Sequence, residues 1–150
     1  MSGVLLREAT FDDVESIVEL GRNFIAGTQY AQFVKPDGEA MFRTVSMLIE
    51  HGAVFVLEVM NGPMVGILGM AVYPHAVTGE QCAFEAFWWI EPAFRGKGIS
   101  MLKRAEQWAK DRGAAFIQMV QPESEARLGR VYEHLGYVAT ERQFQKRLVL

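Results

Sequence analysis

The stretch of this 150-residue chain with the most chemical content is Ile90-Glu-Pro-Ala-Phe-Arg-Gly-Lys-Gly-Ile-Ser100. An apolar, β-type run feeds a turn that carries two glycines and two cations, Arg95 and Lys97, and helical spacing follows. A helix that opens there turns its free N–H groups and its positive dipole end into one concavity. Gly96 and Gly98 let that backbone approach a bulky anion with no Cβ in between. This is the chemistry of phosphate or pyrophosphate binding. The alternative is an ordinary strand–helix turn that uses glycine for tightness. The loop is not a Walker A loop, because no Gly-Lys-Ser/Thr stands four residues behind a first glycine. It also lacks the third glycine of a Gly-x-Gly-x-x-Gly dinucleotide fingerprint.

Glu85 is the second unusual residue, a charge inside the apolar run Ala83-Phe84-Glu85-Ala86-Phe87-Trp88-Trp89-Ile90. An ionised carboxylate buried without partners is costly, so it has either a chemical role or a salt bridge at the wet end of the strand. Glu91 lies nearer the glycine loop, where a carboxylate would repel a phosphate, and is expected to face solvent. His51, His75 and His134 are too scattered for a metal site, and Cys82 reads as a buried or edge thiol.

These residues need elements to position them. Val4 to Arg7 reads as a strand, Thr10 as a cap, and Val14, Ile17, Val18, Leu20 and Phe24 as one helix face. Gly27 to Gly38 is loop-like, and a second helix is expected from Glu39 to Glu50, ended by Gly52. Ala53 to Met60 and Pro63 to Tyr73 form a hairpin around Asn61-Gly62. Cys82 to Ile90 is the next strand, Ile99 to Arg112 a helix, Ala114 to Val120 a strand and Pro122 to Leu135 a helix. Tyr137 to Val149 is expected to add one or two strands. The order β-α-α-β-β-β-α-β-α-β is an α/β arrangement with an antiparallel centre, unlike a run of βα repeats.

Composition sets the class. Half the residues are hydrophobic and 11% aromatic, too many for a disordered chain, and the length suits a single domain over residues 1–150. No apolar run approaches the roughly 20 residues of a membrane-spanning helix. No signal peptide is visible at the N-terminus, and the one cysteine fits a reducing, cytoplasmic setting. A net charge of −3 gives no reason to expect bulk nucleic acid as a partner.

Arg95-Gly96-Lys97-Gly98-Ile99-Ser100 resembles the Arg/Gln-x-x-Gly-x-Gly/Ala motif of the GCN5-related N-acetyltransferase (GNAT) superfamily. The likeness extends over nearly the whole chain. Leu6-Arg7-Glu8-Ala9-Thr10 with Asp13 is similar to the family's opening strand and helix, Trp88-Trp89-Ile90-Glu91-Pro92 to its fourth strand, and Val131-Tyr132-Glu133-His134-Leu135-Gly136-Tyr137 to its Leu-Tyr-Glu-x-x-Gly-Phe segment. Each motif alone is weak, but three in order on a matching element order are specific.

The resemblance implies the GNAT fold: a mixed, mostly antiparallel twisted sheet with about four helices, splayed between its fourth and fifth strands. It implies acetyl-CoA as donor, with no metal, and direct transfer of the acetyl group to a primary amine on a small molecule or peptide. Carried over, the main chain around Trp88 and Ile90 would pair with pantetheine, and the amides of Arg95, Gly96, Lys97, Gly98, Ile99 and Ser100 would hold the pyrophosphate. Glu85 would take a proton from the amine. Tyr132 would sit near the thioester sulfur; its other reading is a core tyrosine on an amphipathic helix. Tyr30 and Phe33, with Gln29, lie where the family has its acceptor loop. Three departures stand out. Ser100 replaces a Gly or Ala, Glu125 stands where an asparagine is common, and the stretch before Trp108 is about two residues short. Dimers are common in the family, so a homodimer is compatible with the sequence. Two other readings remain: a non-catalytic acyl-CoA-binding or assembly protein on the same fold, and a domain for another nucleotide.

Overall fold

In the computed structural model, which describes residues 3–149, five strands form one open sheet in the order β1-β2-β3-β4-β5. β1 (Val4–Glu8), β2 (Ala53–Val59), β3 (Met64–Pro74) and β4 (Gln81–Ile90) are antiparallel neighbours, and β5 (Phe116–Gln118) runs parallel to β4. The helices are α1 (Val14–Ala26), α2 (Gly38–His51), α3 (Gly98–Asp111) and α4 (Ala126–His134). The architecture is the mixed, mostly antiparallel α/β sheet with four flanking helices expected from the sequence. No helix among the described residues is long and apolar enough to cross a membrane.

Alternation in the strands separates two cores. Val54, Val56 and Ile67 face Val14, Ile17, Val45 and Leu48 of α1 and α2. Phe55, Leu57 and Leu68 face Met101, Ala105 and Trp108 of α3. Each fully buried side chain of this size contributes about 1.5–3 kcal/mol relative to exposure, so losing either face is expensive. The β2–β3 turn uses Asn61 at φ 58°, the left-handed conformation that asparagine tolerates better than most residues.

The start of α1 is fixed by charge. Arg7 on β1 donates to both carboxylate oxygens of Asp13, at 2.8 and 2.9 Å, and to Glu58 on β2 at 2.9 Å. Asp13 also accepts the N–H of Thr10 at 2.8 Å, and the Arg7 guanidinium holds both carboxyls below the usual carboxylate range. Thr10 therefore does stand at a helix start, that of a short 3-10 turn (Phe11–Asp13) leading into α1.

Two irregularities in β4 position the site. The β3–β4 register shifts between Gly69 and Met70, which oppose Phe87 and Glu85, so Ala86 is an extra residue on β4. The bulge changes the strand's parity. Ala83 and Ile90 are seven residues apart and would lie on opposite faces of a regular strand, yet both join the α3-side core. The second irregularity is the short reach of β5, which pairs only Cys82↔Phe116, Ala83↔Ile117 and Phe84↔Gln118. From Glu85 to Ile90 the outer edge of β4 has no strand beside it: this is the expected splay.

The expected strand or strands over Tyr137 to Val149 are not formed; that segment is irregular. Glu141 to Arg147 holds one apolar residue, Phe144, so no alternating face exists to bury against the sheet, and Val138, Phe144 and Leu148 are all more than 80% exposed. β5 is likewise three residues long rather than seven, and α4 starts at Ala126 rather than Pro122, after a turn closed by Glu125 N–H on the Pro122 carbonyl.

Candidate active site

The splayed edge of β4 begins at Glu85, and this side chain is the first to meet the gap. Its Oε1 accepts the N–H of Val120, just past β5, at 3.0 Å. No cation pairs with it among the described residues, which removes the salt-bridge reading. Burial pushes its carboxyl up to about 7, with the Val120 N–H pulling the other way. A carboxyl that titrates near neutrality beside a gap is suited to proton transfer.

Tyr132 approaches the same residue, Val120, from α4. Its hydroxyl donates to the Val120 carbonyl at 2.9 Å, and its ring packs on Trp88 (6.4 Å between centroids) and Tyr137 (5.4 Å). It is 7% exposed. Burial, and then the charge of Glu85, raises its hydroxyl well above the ordinary phenol range. Tyr132 is thus both a core residue and a hydrogen-bond donor at the gap.

The glycine segment is a 3-10 turn (Pro92–Lys97) that hands over to α3 at Gly98. The two glycines differ. A Cβ at Gly96 would meet nothing within 4 Å, so this backbone stands open to a ligand. A Cβ at Gly98 would point inward, at ordinary contact distance from Trp88 (3.4 Å) and Ile90 (3.5 Å). Lys97 and Ser100 are exposed, and Ile99 is 45% exposed. Arg95 is turned away from the turn's amides. Its Nε donates to the Ile90 carbonyl at 3.2 Å, its guanidinium lies 5.1 Å over the Trp89 ring, and Nη1 is 3.7 Å from Glu125. The unusual acid at position 125 therefore balances Arg95.

The resemblance assigns a role to the main chain of Trp88, and its indole carries a further signal. Nε1 is buried without a hydrogen-bond partner, beside the start of α3. Orphaned buried donors are rare and mark places where a ligand or water completes the structure. With the strandless edge of β4, the open Gly96 and the N-terminal end of α3, whose Gly98 N–H is bonded to the Arg95 carbonyl, the residues fit an extended, pyrophosphate-bearing group lying along β4 and ending at α3.

Tyr30 and Phe33 lie in and after a 3-10 turn (Gln29–Gln32), and Phe33 is 45% exposed. Tyr30 stacks on Phe24 of α1 (5.8 Å), and Phe24 on Trp89 edge to face (5.8 Å). One aromatic chain thus joins this loop, β4 and Arg95. Glu91 accepts from Trp89 Nε1 at 3.4 Å. The structure brings together Glu85, Tyr132 and Trp88 on one side of β4, and Tyr30, Trp89 and Arg95 on the other.

Sequence reasoning missed Val120, because a residue that acts through its N–H and carbonyl has no side-chain signature. It also missed the bulge, for which a signal existed: Gly66 and Gly69 inside one strand pattern are what a bulge or close approach looks like in sequence.

The model of the Acetyltransferase (GNAT) family matches residues 23–137. No curated protein sequence is significantly similar to the chain. Among solved structures, aminoglycoside N-acetyltransferase AAC(6')-Iy in complex with CoA superposes with a TM-score of 0.77 at 17% identity, covering 98% of this chain and 95% of that one. AAC(6')-Ih from Acinetobacter baumannii does so at 0.72 and 15% identity, covering 99% of each. A transcriptional regulator from Bacillus halodurans C-125 gives 0.77 at 23% identity, covering 97% and 100%. At these identities the likeness is one of fold.

Proposed function

Since the chain belongs to the acetyltransferase (GNAT) family, we propose that it moves the acetyl group of acetyl-CoA directly to a primary amine. The observation that carries this reading is the placement of Glu85 and Tyr132 on the two polar ends of Val120, at the point where β4 loses its neighbour. The donor supplies a thioester carbonyl as electrophile and a thiol as leaving group.

The chain's own residues supply the rest. The open backbone at Gly96, the amides of Ile99 and Ser100 and the positive end of α3 bind the pyrophosphate, while the Gly98 N–H stays on the Arg95 carbonyl. The free edge of β4 around Trp88 and Ile90 orients pantetheine as a strand would, and an unpaired N–H on that edge faces the carbonyl oxygen as charge grows on it. Glu85 accepts the amine's proton. A lysine-type amine of pKa ~10.4 is about 4.6 kcal/mol from its neutral form at pH 7, so a carboxylate poised near neutrality matters most for such an acceptor. The single hydroxyl proton of Tyr132, which bonds the Val120 carbonyl at 2.9 Å, swings from that carbonyl toward the sulfur as it becomes thiolate. Full transfer from Tyr132 is uphill, because a model thiol near ~8.5 is more acidic than a phenol near ~10, and burial widens that difference.

The test is a panel of amines incubated with acetyl-CoA, read by released thiol and by mass spectrometry of the acceptor. A +42 Da product that depends on Glu85 supports the reading. Donor binding without turnover of any amine would favour a non-catalytic acyl-CoA-binding role on the same fold.

A further inference from the structure

The acetyltransferase reading asks the outer edge of β4 to pair with the pantetheine arm of the donor, and one polar group on that edge is already taken. The Glu91 N–H donates to the Val65 carbonyl of β3 at 2.8 Å. The Ile90 carbonyl belongs to the same peptide, which is trans like every other described one. It therefore points the opposite way, to the strandless edge. Arg95 Nε donates to it at 3.2 Å.

The rest of the Arg95 side chain is held from both sides. Its guanidinium lies 5.1 Å over the Trp89 ring, and Nη1 stands 3.7 Å from Glu125 Oε1. Glu125 ends the connection from Val120 to α4, at the N-terminal cap of that helix. β4 and this connection are the two walls of the gap, so Arg95 bridges them at the end nearest α3. Glu91, the other carboxylate beside Trp89, accepts the indole N–H instead.

An outward carbonyl with no strand beside it needs a hydrogen-bond donor in the free protein too, and Arg95 supplies one. The pantetheine arm carries amide N–H groups that would meet the same carbonyl as a neighbouring strand does. A ligand lying between the two walls also has to pass the bridge to Glu125.

We propose that Arg95 is a place-holder for pantetheine: it occupies the Ile90 carbonyl until the donor arrives, and Glu125 latches it there from the opposite wall. Donor binding takes the carbonyl from Arg95 and opens the bridge. Both are positioning residues, acting on entry of the donor and not on acetyl transfer. The proposal rests on the acetyltransferase reading and fails separately from it.

The experiment is calorimetry on wild type, Arg95→Met, Glu125→Gln and the double variant, with three probes. These are CoA, uncharged S-acetylpantetheine, and adenosine 3′,5′-bisphosphate, which lacks pantetheine. Affinity for S-acetylpantetheine should rise at least about threefold in Arg95→Met, because a competing charge-assisted hydrogen bond is gone. It should rise about twofold in Glu125→Gln, in keeping with a half-exposed ion pair. The double variant should gain no more than Arg95→Met, since Glu125 acts through Arg95. Bisphosphate affinity should not rise in Arg95→Met, which only removes a cation. Where S-acetylpantetheine binds too weakly to titrate, the ratio of CoA to bisphosphate affinity should show the same gain. In wild type the Arg95 Nε–H NMR signal, assigned by its loss in Arg95→Met, should exchange with solvent faster once CoA is bound. An unchanged or lower pantetheine affinity in Arg95→Met, or an Nε–H that stays protected in the complex, overturns the proposal and leaves the acetyltransferase reading standing. If Arg95→Met folds poorly, Glu125→Gln decides by the same criterion. If CoA binds wild type no more tightly than the bisphosphate does, the donor's place along β4 falls first.

Discussion

Glu85 and Tyr132 hold a single residue from opposite ends: the carboxylate accepts the Val120 N–H at 3.0 Å and the phenol donates to the Val120 carbonyl at 2.9 Å. A base and a hydrogen-bond donor are thereby registered to one residue, just past β5 where that strand leaves β4. The charge of Glu85 also helps to keep the phenol protonated.

Replacing Tyr132 by phenylalanine separates its two roles. The ring packing on Trp88 and Tyr137 stays, and only the hydroxyl is lost. Removal of one hydrogen bond to a partly exposed segment costs about 1 kcal/mol, or roughly 2–4 °C in Tm for a chain of this size. If the hydroxyl also steadies the leaving thiolate, kcat falls by about 10- to 100-fold with little change in donor KM. A melting curve and steady-state kinetics on the same preparation check both numbers. A normal kcat with a lowered Tm would leave Tyr132 with packing alone.

Glu85 gives a signed dependence on pH. Its unfolded carboxyl ionises near 4.5 and its folded one near 7, so between these values the folded chain holds more protons than the unfolded one. Stability is therefore full below pH 4.5, falls as pH rises to about 7, and levels off, the loss being at most about 3 kcal/mol. Glu85→Gln removes this fall, so the variant should melt higher than wild type at pH 8 and no higher at pH 4.5. Activity moves the other way. For an alkyl amine the variant should lose about 100-fold in kcat/KM near pH 7, and less as pH rises and the amine deprotonates unaided. A loss independent of pH would assign Glu85 to positioning.

The parts of this fold that were legible in sequence are those written in side-chain pattern. α1, α2 and the β2–β3 hairpin follow from Val14, Ile17 and Leu20, from Gly52, and from Asn61-Gly62, where local propensity and burial agree. Arg95 to Ser100 was legible as a glycine loop opening a helix, but the unequal use of its glycines was not, because the direction of a Cβ depends on backbone angles that sequence does not encode locally. The C-terminal run failed as a strand because β propensity without an alternating apolar face carries no register. Val120 and the partnership of Arg95 with Glu125 required tertiary placement.

The two glycines of the loop should respond differently. Gly96→Asp puts a carboxylate into the open space where a pyrophosphate is proposed, so CoA affinity should fall at least tenfold with Tm within about 1–2 °C of wild type. Gly98→Ala adds a methyl at ordinary contact distance from Trp88 and Ile90, on a helix that prefers alanine. Its Tm should hold or rise slightly, and CoA binding should change less than threefold. Calorimetry of both variants is the check, and equal losses would place the anion at Gly98 as much as at Gly96.

Gly69 tests whether the bulge positions the site. A Cβ there would lie 2.7–3.0 Å from three atoms of the Phe87 ring, which packs against the core under α1 and α2 and cannot simply swing into solvent. Gly69→Ala must therefore displace Phe87 or flatten the β3–β4 register shift, and overpacking of this kind costs about 1–3 kcal/mol. At roughly 2–4 °C per kcal/mol, Tm should drop by several degrees. The position of Glu85 depends on the same irregularity, because Ala86 is the extra residue between it and Phe87. If the register shift aims Glu85, acetyl transfer by the folded fraction should fall at least tenfold, and the activity pH profile should shift as the carboxyl loses its burial and its Val120 partner. Gly66→Ala in the same strand is the control. Its Cβ would meet Leu57 and Ile90 side chains at 3.1–3.3 Å, away from the bulge, so it should cost stability and spare the pH profile. Identical profiles for the two variants would show that the register shift does not set the carboxyl's titration.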